Sequence, residues 1–96
     1  MNNHQKHIIS LAGAIERLES TSEIKQFFAD LCTISELRAM EERWKVCQLL
    51  SDGELSYREI HKITDASLTT IGRVARFLRE EPHGGYRNIL EKMRKE

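Results

Sequence analysis

Apolar residues recur along this chain at the three- and four-residue spacing of amphipathic α-helices, and no stretch shows the strict alternation of a β-strand. A first helix near the N-terminus is predicted by one such stripe: Ile8, Leu11, Ala12, Ile15 and Leu18. Ser20 and Glu23 stand three residues apart, as in a capping box, and predict the start of a second helix. The pattern therefore favours an all-α chain.

A long third helix is predicted over residues 34 to 51. Thr33 and Glu36 form a capping box at its start, and Asp52-Gly53 marks its C-terminal end. Its apolar stripe is wide and includes the only tryptophan: Leu37, Met40, Trp44, Val46, Cys47, Leu49 and Leu50. One small domain does not readily cover so much apolar surface, so the stripe favours a helical dimer.

A short fourth helix follows the long one. Ser56 and Glu59 form a capping box that opens this helix, which is predicted to run to about Thr64. Its apolar anchors are Ile60 and Ile63.

A tight corner and two more helices complete the predicted order. Asp65-Ala66 makes the corner, and Ser67 can cap a fifth helix that runs to about Glu80. Pro82 and the glycine pair after it break this helix, and a short sixth helix covers residues 86 to 94. The sequence thus predicts six helices and no internal repeat.

Composition limits the size of the protein and the class of its partner. With 96 residues, 40% hydrophobic residues and one proline, the chain is predicted to be one small helical domain. The net charge of zero, taken alone, argues against a nucleic acid as partner. The distribution is uneven, however: residues 11 to 55 contain nine acidic and five basic side chains, and residues 56 to 79 contain two acidic and five basic. Positive charge therefore gathers around the fourth and fifth helices.

No apolar run approaches the ~20 residues that span a bilayer. The N-terminus MNNHQKH lacks the apolar core of a signal peptide. We therefore expect a cytoplasmic protein with no membrane partner.

The fourth and fifth helices, with their corner, predict a helix-turn-helix. Small or apolar residues occupy the positions where the two helices must cross: Ile60, Ala66, Ile71 and Val74. Polar or small residues dominate the outside of the fifth helix: Ser67, Leu68, Thr69, Thr70, Gly72, Arg73 and Arg76. Hydroxyl groups and guanidinium groups bind base edges or phosphates, leucine can contact a thymine methyl group, and glycine lets the backbone approach the groove.

Two positions depart from the usual motif. Asp65 stands where the corner usually has glycine, and we expect it to adopt the left-handed conformation that Asp tolerates. His61 stands where alanine is favoured. A merely solvated polar face remains the alternative interpretation of the fifth helix, because short helix pairs are common.

Three segments carry a resemblance to a known family: "LCTISELRAMEERW", "GELSYREI" and "TTIGRV". Over about residues 8 to 94 the chain resembles the Trp repressor superfamily, and most closely its Trp-repressor-related YerC/YecD group. The resemblance implies a single six-helix domain over residues 1 to 96, with a helix-turn-helix at about 56 to 80. It also implies an intertwined homodimer whose subunits share the wide apolar stripe.

The resemblance further implies a transcriptional regulator, acting as a repressor does, that binds double-stranded DNA. The two recognition helices of the dimer would enter successive major grooves, so the target would be a near-palindrome. The side chains that would face bases are Ser67, Leu68, Thr69 and Arg73. Those that would face phosphates are Tyr57, Arg58, Lys62, Thr70 and Arg76.

A corepressor pocket is also implied, in altered form. Arg43 and Arg73 match the two arginines that hold tryptophan in the family's best-known member. Val74 and Phe77 stand where that member has glycine and a small hydroxyl residue, and they would occupy the space of the indole. We therefore expect no tryptophan corepressor and no cofactor, with Phe77 or Val74 filling the site.

A protein-protein interaction module that uses the helix-turn-helix face is the alternative function, because folds of this kind serve several purposes. An enzyme is not predicted. Glu41 and Glu42 point in different directions on a helix, and His61 and His83 have no nucleophile or acid at a telling spacing. No glycine-rich phosphate loop is present.

Neither histidines nor cysteines predict a metal site. His4 and His7 share a helical face, but they lie near a terminus where histidines are usually solvated. Cys32 and Cys47 form no C-x-x-C pair and are expected to be apolar packing residues.

Overall fold

The computed structural model describes residues 7–96, which form six α-helices and no β-strand. The helices are α1 (Leu11–Glu16), α2 (Thr21–Leu31), α3 (Ile34–Asp52), α4 (Tyr57–Ile63), α5 (Leu68–Arg79) and α6 (Gly85–Arg94). The prediction of an all-α, six-helix chain is confirmed. The chain divides into two compact units, the first ending at Leu37 and the second covering Arg38–Glu96.

In the first unit, α1 is shorter than its apolar stripe predicted. The Ser10 side chain accepts a hydrogen bond from the Gly13 N–H at 3.0 Å and caps the helix, so Ile8 precedes it. Leu18 follows its end. The hydroxyl cap, rather than the apolar periodicity, sets where the helix begins.

The start of α2 is close to the predicted capping box. The Ser20 side chain accepts from the Glu23 N–H at 3.1 Å. The Glu23 carboxylate in turn accepts from the N–H of Glu19, at 3.0 Å, rather than from that of Ser20. The Glu23 N–H is therefore bound as in the standard box, whereas the carboxylate binds the N–H one residue before the cap.

The first unit buries no residue of α1 or α2. Its exposed large apolar side chains are Ile8, Ile9, Leu11, Ile15, Ile24, Leu31 and Ile34. Phe27 and Phe28 pack edge to face, with ring centroids 5.8 Å apart, and are partly buried. Helices this short gain most of their stability from packing, so this amount of uncovered apolar surface is unusual.

The predicted capping box of α3 is complete. The Thr33 N–H donates to the Glu36 carboxylate at 2.8 Å, and the Thr33 hydroxyl accepts from the Glu36 N–H at 3.1 Å. Hydrogen bonds to the Glu36 carboxylate from Thr33, first from its backbone and then from its side chain, lower the pKa of Glu36. At the other end of α3, Gly53 has φ of 75°, a left-handed conformation that glycine adopts without strain.

The second unit has one apolar core, to which α3, α4, α5 and α6 all contribute. Its buried residues are Val46, Cys47, Leu50, Ile60, Ala66, Ile71, Val74, Ala75, Leu78 and Leu90. Trp44, Leu49, Leu55 and Tyr86 pack against this core and are partly buried. Burial raises the pKa of the Cys47 thiol to about 11, as expected for a packing residue. Cys32, in the first unit, is only partly buried.

One predicted core residue lies outside. Ile63 is 57% exposed, whereas Ile60 is fully buried. The two lie about 60° apart around the helix axis, and a helix of seven residues presents only a narrow face to its neighbour. The prediction of Ile63 as an apolar anchor is therefore wrong within the single chain.

An arginine joins α6 to the end of α5. The Arg87 guanidinium donates to the carbonyl oxygens of Leu78 at 2.9 Å and of Arg79 at 3.0 Å. These carbonyls belong to the last turn of α5 and have no partner within the helix. Gly84, with φ of 73°, reverses the chain between the two helices.

Among residues 7–96, no helix combines the length and the apolar character needed to cross a bilayer.

Candidate nucleic-acid interface

The two helices α4 and α5 and the four residues between them form a helix-turn-helix. The positions predicted to lie between the helices are all buried: Ile60, Ala66 and Ile71 at 0% exposure and Val74 at 1%. The helices can approach closely because nothing larger than a branched aliphatic side chain separates them. The prediction for these four positions is confirmed.

The corner itself is built differently from the prediction. No non-glycine residue within residues 7–96 has a positive φ, so Asp65 is not left-handed and that prediction is wrong. The Thr64 hydroxyl instead donates to the Ile60 carbonyl at 2.7 Å and accepts from the Ala66 N–H at 3.2 Å. The Ala66 carbonyl lies 2.8 Å from His61 Nδ1, which carries the proton of this hydrogen bond. Both backbone groups of the buried Ala66 are thereby satisfied.

The N-termini of both helices are capped by serine. At α4, the Ser56 N–H donates to the Glu59 carboxylate at 2.9 Å, and the Ser56 hydroxyl accepts from the Glu59 N–H at 3.2 Å. Hydrogen bonds from Ser56, chiefly the one from its backbone N–H, lower the pKa of Glu59 and keep this carboxylate ionised. At α5, Ser67 Oγ accepts the Thr70 N–H at 3.0 Å.

A second bond restricts what the cap of α5 can offer to a ligand. The Ser67 hydroxyl donates to Thr70 Oγ1 at 3.1 Å. The proton of Ser67 is therefore used within the chain, and the proton of the Thr70 hydroxyl remains for an outside acceptor.

All but one of the nine predicted DNA-facing side chains are exposed: Tyr57, Arg58, Lys62, Ser67, Leu68, Thr69, Arg73 and Arg76, whereas Thr70 is partly buried. On α5, Thr69, Arg73 and Arg76 follow one another at spacings of four and three, so they form one ridge. Their proposed contacts with bases and phosphates stay predictions.

Gly72 lies in the middle of α5 and faces open space. A Cβ atom added at this position would meet no atom within 4 Å. Glycine inside a helix costs ~1 kcal/mol relative to alanine. Nothing inside the chain requires its small size.

The two arginines of this ridge stack with two aromatic side chains. The Arg73 guanidinium carbon is 4.5 Å from the centroid of the Phe77 ring, and that of Arg76 is 5.2 Å away. The His83 ring stacks on Phe77, with centroids 5.9 Å apart and planes 16° from parallel. Arg76 Nε also lies 3.3 Å from the Glu81 carboxylate. Cation–π contacts therefore restrict the orientation of both guanidinium groups.

These stacked side chains border an open cleft of ≈ 310 Å³. Its lining residues are Arg73, Val74, Phe77, His83, Gly85 and Tyr86. Three of the four predicted pocket residues thus line it, and Arg43, on α3, does not. Val74 belongs mainly to the core, and Phe77 is partly buried.

Three of the lining residues were not predicted from the sequence. His83, Gly85 and Tyr86 come from the start of α6 and the turn before it, and only the reversal at Gly84 brings them opposite α5. The break predicted at Pro82 and the glycine pair was the one signal that could have indicated it.

A metal centre finds no support in the described part of the chain. Residues 7–96 contain no group of three or more His, Cys, Asp or Glu side chains arranged to hold a metal ion. His4, one member of the histidine pair considered above, lies outside the described residues.

Comparison with known proteins identifies the family. The family model described as Trp repressor protein matches residues 6–94, nearly the whole chain. The chain belongs to the Trp repressor family. Within this family it is similar to the uncharacterized protein YerC of Bacillus subtilis (strain 168), with 38% identity over 73 residues, which are 76% of this chain and 69% of YerC.

Solved structures of the Trp repressor type share the fold. A TrpR-like protein from Eubacterium eligens ATCC 27750 has a TM-score of 0.80 and 35% sequence identity, over 86% of this chain and 84% of that one. A protein from Staphylococcus aureus proposed to be a Trp repressor has a TM-score of 0.80 and 32% identity, over 100% and 98%. The resemblance to this family and to its YerC-like members is confirmed. Trp repressor-like proteins are DNA-binding regulators rather than enzymes.

Proposed function

We propose that the protein is a sequence-specific, double-stranded DNA-binding regulator of transcription. It acts as a homodimer on a near-palindromic site and needs no tryptophan as corepressor. Because its target is duplex DNA, we expect the protein to be cytoplasmic.

The observation that carries this proposal is the outward face of α5. Thr69, Arg73 and Arg76 form its ridge, and Gly72 leaves the helix backbone uncovered between them. A bare backbone in a costly helical position, beside hydroxyl and guanidinium groups, suits a helix that another molecule approaches closely. The local excess of basic residues over 56 to 79 matches a phosphate backbone.

Apolar side chains that the single chain leaves exposed or partly buried support a homodimer. Neither α1 nor α2 buries a residue, and the α3 side chains Leu37, Met40 and Trp44 are only partly buried. A second copy offers the same apolar surface, so the two can cover each other through a self-complementary interface. Sedimentation at micromolar concentration should give twice the mass of the chain. A well-folded monomer would contradict the dimer.

The stacking contacts of Phe77 support regulation without tryptophan. The Phe77 ring already makes contacts with the Arg73 guanidinium and the His83 ring that a flat ligand would otherwise make. Isothermal titration with L-tryptophan should show no binding at micromolar concentration. Micromolar affinity would contradict regulation without tryptophan.

In vitro selection of duplex DNA by the purified protein tests the function directly. We expect one enriched near-palindrome, bound with an affinity that falls as salt rises. If selection enriches no sequence, sequence-specific binding is wrong.

Two substitutions separate the roles of the predicted contacts. Arg58→Ala should weaken binding to all duplexes about equally and reduce the salt slope by ~0.9 per lost phosphate contact in each subunit. Thr69→Ala should change site preference more than non-specific affinity. Lys92→Ala, an exposed cation on α6, is the matched control. If Arg58→Ala behaves like Lys92→Ala, Arg58 does not contact phosphate.

The alternative function, a protein interaction module, is favoured by the apolar side chains on the same two helices. Tyr57, Ile63 and Leu68 are 41%, 57% and 48% exposed. Binding to duplex DNA that weakens steeply with salt would exclude a purely protein-binding role for this face, because hydrophobic contacts are little weakened by salt.

A further inference from the structure

The hydrogen bond of His61 fixes which of its two ring nitrogens carries the proton in the neutral form. Its Nδ1 atom lies 2.8 Å from the Ala66 carbonyl oxygen, and a carbonyl oxygen only accepts hydrogen bonds. Nδ1 is therefore the protonated nitrogen, and Nε2 carries a lone pair. Within residues 7–96 this is the one hydrogen bond of the ring, so Nε2 remains for a ligand.

His61 lies on the part of α4 that is expected to meet phosphates. Tyr57 and Arg58 precede it by four and three residues, so the three side chains are neighbours on the helix surface, and all three are exposed. The motif favours alanine at this position, and alanine could bond neither to the corner nor to a ligand. The bond to the Ala66 carbonyl restricts the orientation of a polar ring beside the expected phosphate contacts.

Protonation of His61 changes what the ring offers to DNA. In the neutral ring Nε2 is an acceptor, and a phosphate oxygen is an acceptor too, so the two form no hydrogen bond. In the protonated ring Nε2 is a donor on a positive group, which can form a charge-assisted hydrogen bond with a phosphate. Nδ1 donates in both forms, so the bond to the Ala66 carbonyl is kept in each.

Charged side chains of both signs neighbour His61. On α4, Arg58 and Lys62 oppose a further positive charge, and Glu59 is held by the backbone of Ser56 at the start of the helix. In the corner, Asp65 favours the positive charge. The first five residues of α5, the helix that follows the corner, include no titratable side chain. A phosphate at Nε2 adds a negative charge and favours the protonated ring.

We propose that His61 is a proton-dependent phosphate contact of the helix-turn-helix, so that the protein takes up a proton at His61 when it binds duplex DNA. This inference rests on the proposed function, since it requires α4 to lie beside a DNA backbone. Histidine changes its charge between about pH 5 and 8, whereas the phosphodiesters of DNA stay ionised throughout this range. Binding is therefore tighter at acidic than at alkaline pH.

Fluorescence anisotropy of the full-length protein with the selected duplex, at about pH 6, 7 and 8 and constant ionic strength, tests this inference. The affinity should rise about fivefold for each subunit between pH 8 and pH 6, the upper range for an exposed charge pair. Nuclear magnetic resonance of the imidazole should show the site of proton uptake. The duplex should move the midpoint of the His61 titration to higher pH.

His61→Asn separates this titration from the structural role of the ring. The asparagine amide can donate to the Ala66 carbonyl as Nδ1 does, but an amide does not titrate in this range. The variant should unfold at about the temperature of the wild type, and its affinity should be the same at all three pH values. His83→Asn is the matched control, because His83 is also exposed and lies outside the helix-turn-helix. It should keep the rise in affinity at low pH.

The inference is overturned if the affinity of the wild type is equal at pH 6 and pH 8. It is also overturned if His61→Asn keeps the rise in affinity, or if the duplex leaves the His61 titration where it was. Each of these results would leave the proposed function standing, because sequence-specific binding would persist. The failure of the wild type to bind any duplex at any of the three pH values would overturn both.

Discussion

Replacing Thr64 with valine tests how the corner of the helix-turn-helix is held. Valine keeps the branched shape and removes only the hydroxyl, which donates to the Ile60 carbonyl at 2.7 Å and accepts from the Ala66 N–H at 3.2 Å. Ala66 is fully buried, so water cannot replace the lost acceptor.

The size of the effect follows from this geometry. A buried donor without a partner costs ~1–3 kcal/mol, and we expect the free energy of unfolding to fall by about 2 kcal/mol. For a domain of this length, each kcal/mol lowers the unfolding temperature by roughly 4–8 °C. Thr64→Val should therefore unfold about 8–16 °C below the wild type.

Thermal unfolding followed by circular dichroism measures this shift. Thr64→Ser keeps the hydroxyl and should retain most of the stability. Thr69→Val makes the same chemical change on the exposed face of α5 and should alter stability by no more than about 0.5 kcal/mol, while weakening DNA binding. If Thr64→Val and Thr69→Val unfold at the same temperature, the Thr64 hydroxyl does not hold the corner.

Three further predictions concern a thiol, a carboxylate and a guanidinium. Because burial raises the pKa of Cys47 to about 11, iodoacetamide at pH 8 should label Cys32 before Cys47 in the folded protein. Mass spectrometry measures the two labelling rates, and equal rates without denaturant would contradict the burial of Cys47. The hydrogen bonds from Ser56 lower the pKa of Glu59, so their stabilising effect should be present above pH 4.5 and should be lost as the pH falls through the lowered pKa. Glu59→Gln should therefore flatten the free energy of unfolding as a function of pH in this acidic range, and an unchanged pH profile would contradict the role of Glu59. Lysine has no planar fork of donors to bridge the Leu78 and Arg79 carbonyls, so Arg87→Lys should accelerate amide hydrogen exchange in α6 more than in α3. Equal exchange rates in the variant and the wild type would refute the bridge.

The parts of the fold that could be predicted from the sequence are those fixed by neighbouring residues. The boxes at Thr33 and Ser56 each need only a hydroxyl and a carboxylate three residues apart, and both helices begin where these pairs predicted. The burial of Ile60 and Ile71 followed from apolar spacing around a short corner. The same reasoning failed for Ile63, because spacing alone does not tell how wide a face of a seven-residue helix its neighbour covers.

The details of the site depended on contacts that no local pattern encodes. Asp65 stands where the motif usually has glycine, yet the Thr64 hydroxyl and the His61 ring close the turn. No local pattern indicated that the His61 ring would bind the Ala66 carbonyl. The stack of Phe77 on His83 joins residues on opposite sides of a helix break, and its geometry required the structure.

The ion pair between Arg76 and Glu81 places a competitor for phosphate inside the protein itself. Any anion that binds this guanidinium shares it with a carboxylate 3.3 Å away, so the contact gains less than one with a free cation would. Dissolved ions screen both attractions alike, and part of the effect of ionic strength on this arginine cancels. The Glu81 carboxylate therefore weakens the attraction of Arg76 for an anion.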